Sequence, residues 1–410
     1  MAFGYLRIDW LTQDEVDVFD LFQKLMSNVG TMSDSKEKRR LTIIILSLLF
    51  IPMVIASLCA SIIYRDDFDI LAYSLHHTVL MSLAWVLNNV VIPVFRNQYN
   101  FLMEGTKKTY YYDSDLVNNY AKDIIHKRIG ISRFIGKSIV IGTIGILIEI
   151  QIFFAAEVIW FQTYRTLFPV YTFGLDLDNI VVLVSVVLYQ EVVMCWTANL
   201  PVVLLNIAYS TWSHLDLEMK ILVFAITNVE KIVMEKSGKR SLDRTDEKHR
   251  SEIYESYCCH LAKHHHCIIS YFEAYSQAVS LITTLMFTTG FIMFVLVGLS
   301  TMSDNLGVKL KLFWFLVFQV IITFGWCWVG QYIADKSAEI SEAVMGTPWW
   351  LMPKSCHSTL LLIMVRCKKP LVITSSFGQQ ANMQTFMDMM KSVFQFVSVL
   401  YQVTKGENEE

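Results

Sequence analysis

Apolar residues recur along this chain in seven long stretches, each near the ~20 residues a helix rising ~1.5 Å per residue needs to cross hydrocarbon. They run from Leu41 to Tyr64, Leu71 to Phe95, Phe134 to Phe161, Leu177 to Trp212, Ile269 to Ser300, Leu310 to Tyr332 and Met383 to Tyr401. The fourth stretch is too long for one crossing. Its apolar pattern continues through Leu215, Leu222, Ala225, Val229, Ile232 and Val233 at helical spacing. After a breaker at Ser237 to Asp246, a second helical stretch from Glu252 runs into the fifth span. The pattern predicts an all-α, polytopic membrane protein with seven transmembrane helices. The extensions either pack into a helical domain below the membrane or lie on its surface as amphipathic helices.

Basic residues sit in alternate connections, which sets the orientation. The segment before the first span, the connections after the second and fourth spans, and the one after the sixth together hold 27 Lys and Arg; the opposite side holds Arg65, Arg165, Lys309 and Lys405. The N-terminus is therefore expected in the cytoplasm and the C-terminus outside. The resulting plan is a cytoplasmic segment over 1–40, helices one to four over 41–212, a cytoplasmic extension over 213–268, helices five and six over 269–334, an intracellular anchor segment over 335–382, helix seven over 383–405 and an extracellular tail over 406–410. Asp9, Asp14, Glu15, Asp17 and Asp20 stand where a cleavable signal would be basic and then apolar, so targeting is expected to fall to the first membrane helix.

Composition agrees: 54% of residues are hydrophobic, 17% are charged and the mean hydropathy is +0.43. The charged share falls below the ~25% usual in soluble chains. A net charge of −3 gives no reason to expect a nucleic acid partner. All eight cysteines fall in helices or cytoplasmic segments on this plan, so no structural disulfide is expected.

The seventh span is the most polar. Asp388, Ser392, Gln395, Val399 and Gln402 recur at intervals of 4, 3, 4 and 3, which puts them on one helix face. Polar groups in hydrocarbon are costly without water or a partner, so this face lines a water pathway or a polar helix contact. A single helix encloses nothing, and a pore would need several copies about an axis. Val399 and Val403, near the outer end, would then form a hydrophobic constriction.

Other features invite chemistry. Cys258, Cys259, His260, His264, His265, His266 and Cys267 suggest zinc, but the spacing lacks paired ligands from two elements, so no metal is assigned and no cofactor or enzymatic activity is expected. Glu149, Glu157 and Glu191 lie inside spans, and Glu191, near mid-membrane, must find a partner or protonate. Glu407, Glu409 and Glu410 are either a solvated tail or a cation-attracting ring at an outer mouth.

These residues together carry a resemblance. The run Ala343 to Pro370 (AVMGTPWWLMPKSCHSTLLLIMVRCKKP), Leu371 to Phe377 and the closing SVFQFVSVLYQ are similar to the C-terminal region of insect olfactory receptors. Arg165 to Asp178 (RTLFPVYTFGLDLD), Tyr189 and Gln190 add to it. The resemblance implies an odorant-gated, non-selective cation channel in the plasma membrane of sensory neurons. Four subunits would meet through an intracellular anchor domain, with the last helices around the pore. By similarity, Val399, Gln402 and Val403 match the gate and narrow region, with Gln395 on the same face. The chain resembles a ligand-specific tuning subunit rather than the coreceptor, with which it would assemble.

The family's odorant pocket sits in the outer half of the bundle between helices two, three, four and six. Depth nominates His77, Leu80 and Met81 on helix two, Phe153, Phe154 and Trp160 on helix three, Ile180, Val184 and Val187 on helix four, and Trp314 and Phe318 on helix six. Aromatic and Met walls suit a volatile apolar ligand held by area burial. His76 and His77 offer either a polar anchor or a hydrogen-bonded structural pair. A G-protein-coupled receptor would have its N-terminus outside, an acidic-Arg-aromatic motif after helix three and an extracellular disulfide, none of which is evident. A gustatory receptor of the same superfamily is separated mainly by the last-helix motif, and a membrane enzyme lacks dispersed His pairs.

Overall fold

The computed structural model describes residues 5–7, 35–156, 166, 168, 170–237, 244–300 and 306–407. Helix α1 (Lys36–Ile63) starts at Ser35, whose hydroxyl accepts from Lys38 N–H at 3.4 Å, with Glu37 favourably placed in the first turn. Asp67 likewise caps α2 (Phe68–Val86), accepting from Ile70 N–H at 3.1 Å. The chain then widens through Leu87–Val91 before a short turn, Ile92–Val94. Pro93 lacks an N–H and crowds the preceding turn, which the wider π-helical turn absorbs. Asn88 bonds back to the Ala84 carbonyl there at 3.1 Å.

After α3 (Arg96–Gly105), β2 (Lys108–Tyr110) pairs antiparallel with β1 (Tyr5–Arg7), the one strand pair in an otherwise helical molecule among the described residues. The long elements follow: α4 (Asp115–Ala156), α5 (Ile180–Thr227), a short α6 (Val229–Ser237), α7 (Arg244–Ser300) and α8 (Leu306–Met345). A single turn, Trp349–Leu351, leads into α9 (Lys354–Cys367), and the chain ends in α10 (Met383–Glu407). At 57 residues α7 is ~85 Å long, nearly three hydrocarbon thicknesses of ~30 Å.

Two solvents are visible in the burial pattern. On α1, Leu41, Ile44, Ile45, Leu48 and Ile62 are exposed, as are Ile141 and Ile152 on α4, Val181 and Leu188 on α5 and Ile321 on α8. Such a belt fits only a lipid surround. Five stretches among the described residues are long and apolar enough to cross a membrane, in α1, α2, α5, α7 and α8. They coincide with the first, second, fourth, fifth and sixth expected spans. The third expected span runs beyond α4 into residues outside the description, and the seventh is the more polar α10. The chain is an all-α, multi-pass membrane protein.

At the other end apolar side chains turn inward. Leu215, Ile221, Leu222 and Ile226 of α5, Ile232 and Val233 of α6, Tyr257 and Leu261 of α7, Ile340 of α8 and Leu360 and Ile363 of α9 form one buried core. The extensions of α5, α7 and α8 therefore build a packed helical layer with α6 and α9. Tyr257 donates to the Ala225 carbonyl at 3.1 Å, and Tyr332 donates to Asp216 at 2.7 Å.

A polar network sits where this layer meets the bundle. Glu218, 3% exposed, receives His264 Nε2 at 2.8 Å, and Tyr112 hydroxyl lies 2.8 Å from His264 Nδ1. One tautomer satisfies both contacts: Tyr112 donates to Nδ1 while Nε2–H donates to the carboxylate. Tyr110 stacks on the same imidazole at 4.5 Å. Burial is the largest influence on the Glu218 carboxyl and pushes it up, but the hydrogen bond from His264, the nearby His214 and His264 and a bond from Thr109 together outweigh it and leave the group below the ordinary carboxylate range. Arg128 donates to the Ser213 hydroxyl at 2.9 Å and the Ser210 carbonyl at 3.3 Å, and burial lowers its guanidinium to about 10, still charged at neutral pH. Burial lowers His214 to about 3, so it is neutral.

Two predictions follow from this packing. Gly330 of α8 lies against the Ala381 backbone at the entry to α10, where an added Cβ would overlap the Ala381 carbonyl. Gly330→Ala should cost about 1–3 kcal/mol, the usual penalty of overpacking, and lower the thermal midpoint of purified protein; an unchanged midpoint would contradict this close approach. For the network, both Glu218 and His214 have folded values below their unfolded ones, so the unfolded chain binds more protons at acidic pH. Their stabilisation is complete above about pH 6.5 and is lost as pH falls toward about 3, so the midpoint should drop across that window. The drop should shrink in Glu218→Gln, which itself loses about 1–3 kcal/mol at neutral pH. A pH profile identical in both proteins would remove Glu218 from that account.

Candidate functional site

Within the bundle, α2, α3, α5, α7 and α8 line a partly open cavity of about 170 Å³. Helical spacing brings each contributor to one face. On α7 they are Tyr275, Val279, Ile282, Met286 and Thr289, at steps of 4, 3, 4 and 3; on α2, Leu80, Leu83 and Ala84, with Leu87 from the widened turn that follows. Helix α5 adds Thr197, Leu204, Leu205, Ile207 and Ala208, and α8 adds Phe318, Gln319, Ile322 and Trp326. Tyr99 and Leu102 of α3 close the end nearest the helical layer. No lining side chain is charged. Several polar ones are spent within the protein: Thr197 donates to the Val193 carbonyl at 2.8 Å, Thr289 to Leu285 at 2.6 Å, Tyr99 to Ala278 at 3.1 Å, and Trp326 Nε1 to Thr283 at 3.1 Å. The space suits a small neutral apolar molecule.

The residues nominated from depth spread widely around this cavity. Leu80 and Phe318 line it. Met81 is fully buried one position on, its sulfur 3.8 Å from the hydroxyl of the lining residue Thr197. His77 lies a turn away from Leu80, with Nδ1 2.7 Å from the Ser57 hydroxyl and its ring stacked on Phe168 at 4.3 Å. Ile180 and Val184 are exposed on the surface of α5, and Val187 is half-buried. Trp160 lies outside the described residues, and so do the side chains of Phe153, Phe154 and Trp314. The cavity thus sits closer to α3 than the nominated ring does. Its α7 wall escaped the sequence reading, although the spacing of Tyr275, Val279, Ile282 and Met286 was there to find it.

Above the cavity a returning segment is tied in by Gln190. The amide accepts from Phe168 N–H at 3.3 Å and donates to the Phe168 carbonyl at 3.1 Å, while Tyr171 N–H bonds the Ala56 carbonyl at 3.0 Å. Tyr189 donates to the Leu49 carbonyl at 2.5 Å. Glu191 has its partner in Gln151, whose amide donates at 2.6 Å. This explains why ionisable and amide side chains are tolerated at that depth: each closes a contact between helices.

Helix α10 lies against α7 and α8 by one side. Phe396 meets Phe291 at 6.4 Å between ring centroids, Phe386 meets Phe324 at 5.6 Å, and Val397 fills the space left by the absent side chain of Gly298. The outer part of the striped face is turned to the surface, while Asp388 and Ser392 border an open cleft with Phe287 and Phe291 of α7. Asp388, Ser392, Gln395, Val399 and Gln402 are all exposed, Val399 at 58%. The backbone of Val403 continues the helix; its side chain lies outside the description.

The Cys and His run is dispersed around α7. His264 meets Glu218, His260 Nδ1 lies 3.3 Å from the Tyr110 hydroxyl, and His265 Nε2 lies 3.4 Å from Cys367 Sγ. Among the described residues no three metal-ligating side chains converge.

Comparison with known proteins connects these features. Residues 111–394 match the family described as 7tm Odorant receptor, most of the chain and all of the packed helical layer. Over 176 residues the chain is 23% identical to Odorant receptor 22b of Drosophila melanogaster, a match spanning 40% of each chain. The fold covers 95% of this chain when laid on the olfactory receptor OR5 of Machilis hrabei in complex with eugenol, with a TM-score of 0.76 and 14% identity. The same receptor's structure described without eugenol gives 0.75 at 12% identity. The family match, the helical layer and the multi-pass bundle agree, and this chain belongs to the odorant receptor family, a family of receptors rather than enzymes.

Proposed function

We propose that the chain is the ligand-specific subunit of an odorant-gated, non-selective cation channel and that its ligand lodges in the bundle against Leu80 and Phe318. The observation that carries this is the uncharged cavity, lined by helices that also support α10. The eugenol complex of the Machilis hrabei receptor supports a small volatile as the ligand class.

The coupling is direct. Tyr275 to Thr289 of α7 line the cavity, and just beyond them on the same helix Phe291 and Gly298 hold α10. On α8, Phe318 to Trp326 line it, and Phe324 within that stretch packs on Phe386 of α10. A ligand that fits better when α7 and α8 have moved apart shifts the population toward that state by its difference in affinity. With the N-terminus inside and the C-terminus outside, as the basic-residue bias requires, α10 would present Gln395, Val399, Gln402 and Val403 to a central pore. The pore would form in a tetramer with coreceptor subunits.

Voltage clamp of cells expressing the chain alone or with the coreceptor, challenged with volatile esters, terpenes, alcohols and aromatics, tests this reading. Odorant-evoked cation current is expected only on co-expression, with relative cation permeability altered in Gln402→Ala. Current from the chain alone would make it a self-sufficient channel. Silence throughout, with surface expression verified, would overturn the channel reading.

A further inference from the structure

The geometry points to Tyr275 as the polar anchor of the cavity, and to a ligand that is a neutral molecule of about one ring bearing a hydrogen-bonding oxygen. This rests on the receptor reading only in treating the cavity as a ligand site. Tyr275 is 1% exposed and lines the cavity, and its hydroxyl has no hydrogen-bond partner among the described residues. The hydroxyl and indole donors elsewhere on the wall are spent within the chain, those of Thr197, Thr289, Tyr99 and Trp326 as described, and Gln319 donates through its amide nitrogen to Thr323 at 3.2 Å. A buried phenol without a partner is costly, and buried hydroxyls nearly always find one. The ligand is the candidate partner.

Size and charge narrow the class. An apolar cavity of about 150 Å³ is known to take benzene, so about 170 Å³ admits one ring with a short substituent. An ionised ligand would enter a wall with no counter-charge and lose its hydration uncompensated. A pure hydrocarbon would gain by area but leave the phenol unpaired. An oxygen able to accept from the Tyr275 hydroxyl gains both ways, whether it is a carbonyl, an ether or an alcohol. Depth also matters: the anchor lies on α7, a helix that no nominated residue occupies.

Acetophenone and ethylbenzene are close in size and differ by that oxygen, so they serve as probes. The measurement is the thermal midpoint of the purified full-length protein in lipid nanodiscs, titrated with each. Acetophenone should reach half its maximal shift at about one-tenth the ethylbenzene concentration, the ratio that about 1.4 kcal/mol supplies. Tyr275→Phe should erase that difference and keep the ethylbenzene shift. Ala208→Phe, which fills the cavity, should abolish both. Equal wild-type responses would overturn the proposal, since the cavity would then be filled by any hydrocarbon, lipid chains included. So would no response to either probe, a preference surviving Tyr275→Phe, or shifts surviving Ala208→Phe. The wild-type comparison decides even if a variant fails to fold. Binding with the expected preference but without odorant-evoked current would sink the channel reading and leave the anchor standing.

Discussion

Inside hydrocarbon a peptide group has no solvent to bond, and nearly every feature of this chain answers to that constraint. Helices satisfy their own backbone, so the membrane part is helical, and its lipid-facing residues can be Leu, Ile and Val without penalty. Side chains that bring polar groups to that depth must carry a partner with them. Gln190 closes onto Phe168 backbone, Glu191 onto Gln151 and His77 onto Ser57. Each pairing joins two segments that apolar packing alone would leave free to slide, because lipid tails compete equally well for Leu surface. The polar groups fix register; the apolar ones fill space.

Past the membrane the solvent changes and so does the logic. The helices do not stop. They continue into water, where apolar faces gain by meeting, and Leu222, Ile226, Val233, Leu261 and Ile363 are buried together. At the junction Arg128 and Glu218 are buried within one polar network with Tyr112, His214 and His264. Burying such groups adds little net stability, but removing any one leaves its neighbours unpaired in a low-dielectric site. The network therefore acts as a geometric key between membrane and water-facing layers, holding α4, α5 and α7 in one arrangement.

Much of this was legible because it depends on period and composition. Five span positions followed from runs of apolar residues, and the continuation beyond Trp212 through α5 and into α6 followed from Leu222, Ala225 and Val229 at helical steps. The long start of α4 was not legible: from Asp115 to Arg133 it is polar enough to read as a connection, and it is helical because Val117, Ala121, Ile125 and Ile129 pack on the helical layer. The cavity's α7 wall was not among the positions nominated from depth, and where a cavity falls in a bundle depends on how Pro93 and the widened turn before it redirect the chain into α3. The His and Cys run looked like one site because its members are adjacent in sequence. A helix rotates ~100° per residue, so neighbours in sequence part company: His264 turns to Glu218 and His265 to Cys367, while His260 shares Tyr110 with His264.

The same constraint that explains the interior leaves α10 unfinished. Its Phe386, Phe396 and Val397 side is held in the bundle by packing, yet Gln395 and Gln402 face outward, and Asp388 and Ser392 are exposed at the edge of an open cleft beside α7. Gln384 and Ser392 form bonds along the helix, Gln384 donating to Asp388 at 2.9 Å and Ser392 to the Asp388 carbonyl at 2.9 Å, but no other helix of the chain reaches Gln395 or Gln402 in the described contacts. In lipid, a side-chain amide stripped of water costs several kcal/mol. Two such amides, an acid and a hydroxyl on one face would offset the gain from most of the apolar face opposite. The arrangement is stable only where that face meets water or its equivalent on other subunits. Closed rotational symmetry supplies both at once, with water on the axis and a neighbour beside it, and this is the physical reason the proposed pore belongs to an assembly and not to the single chain.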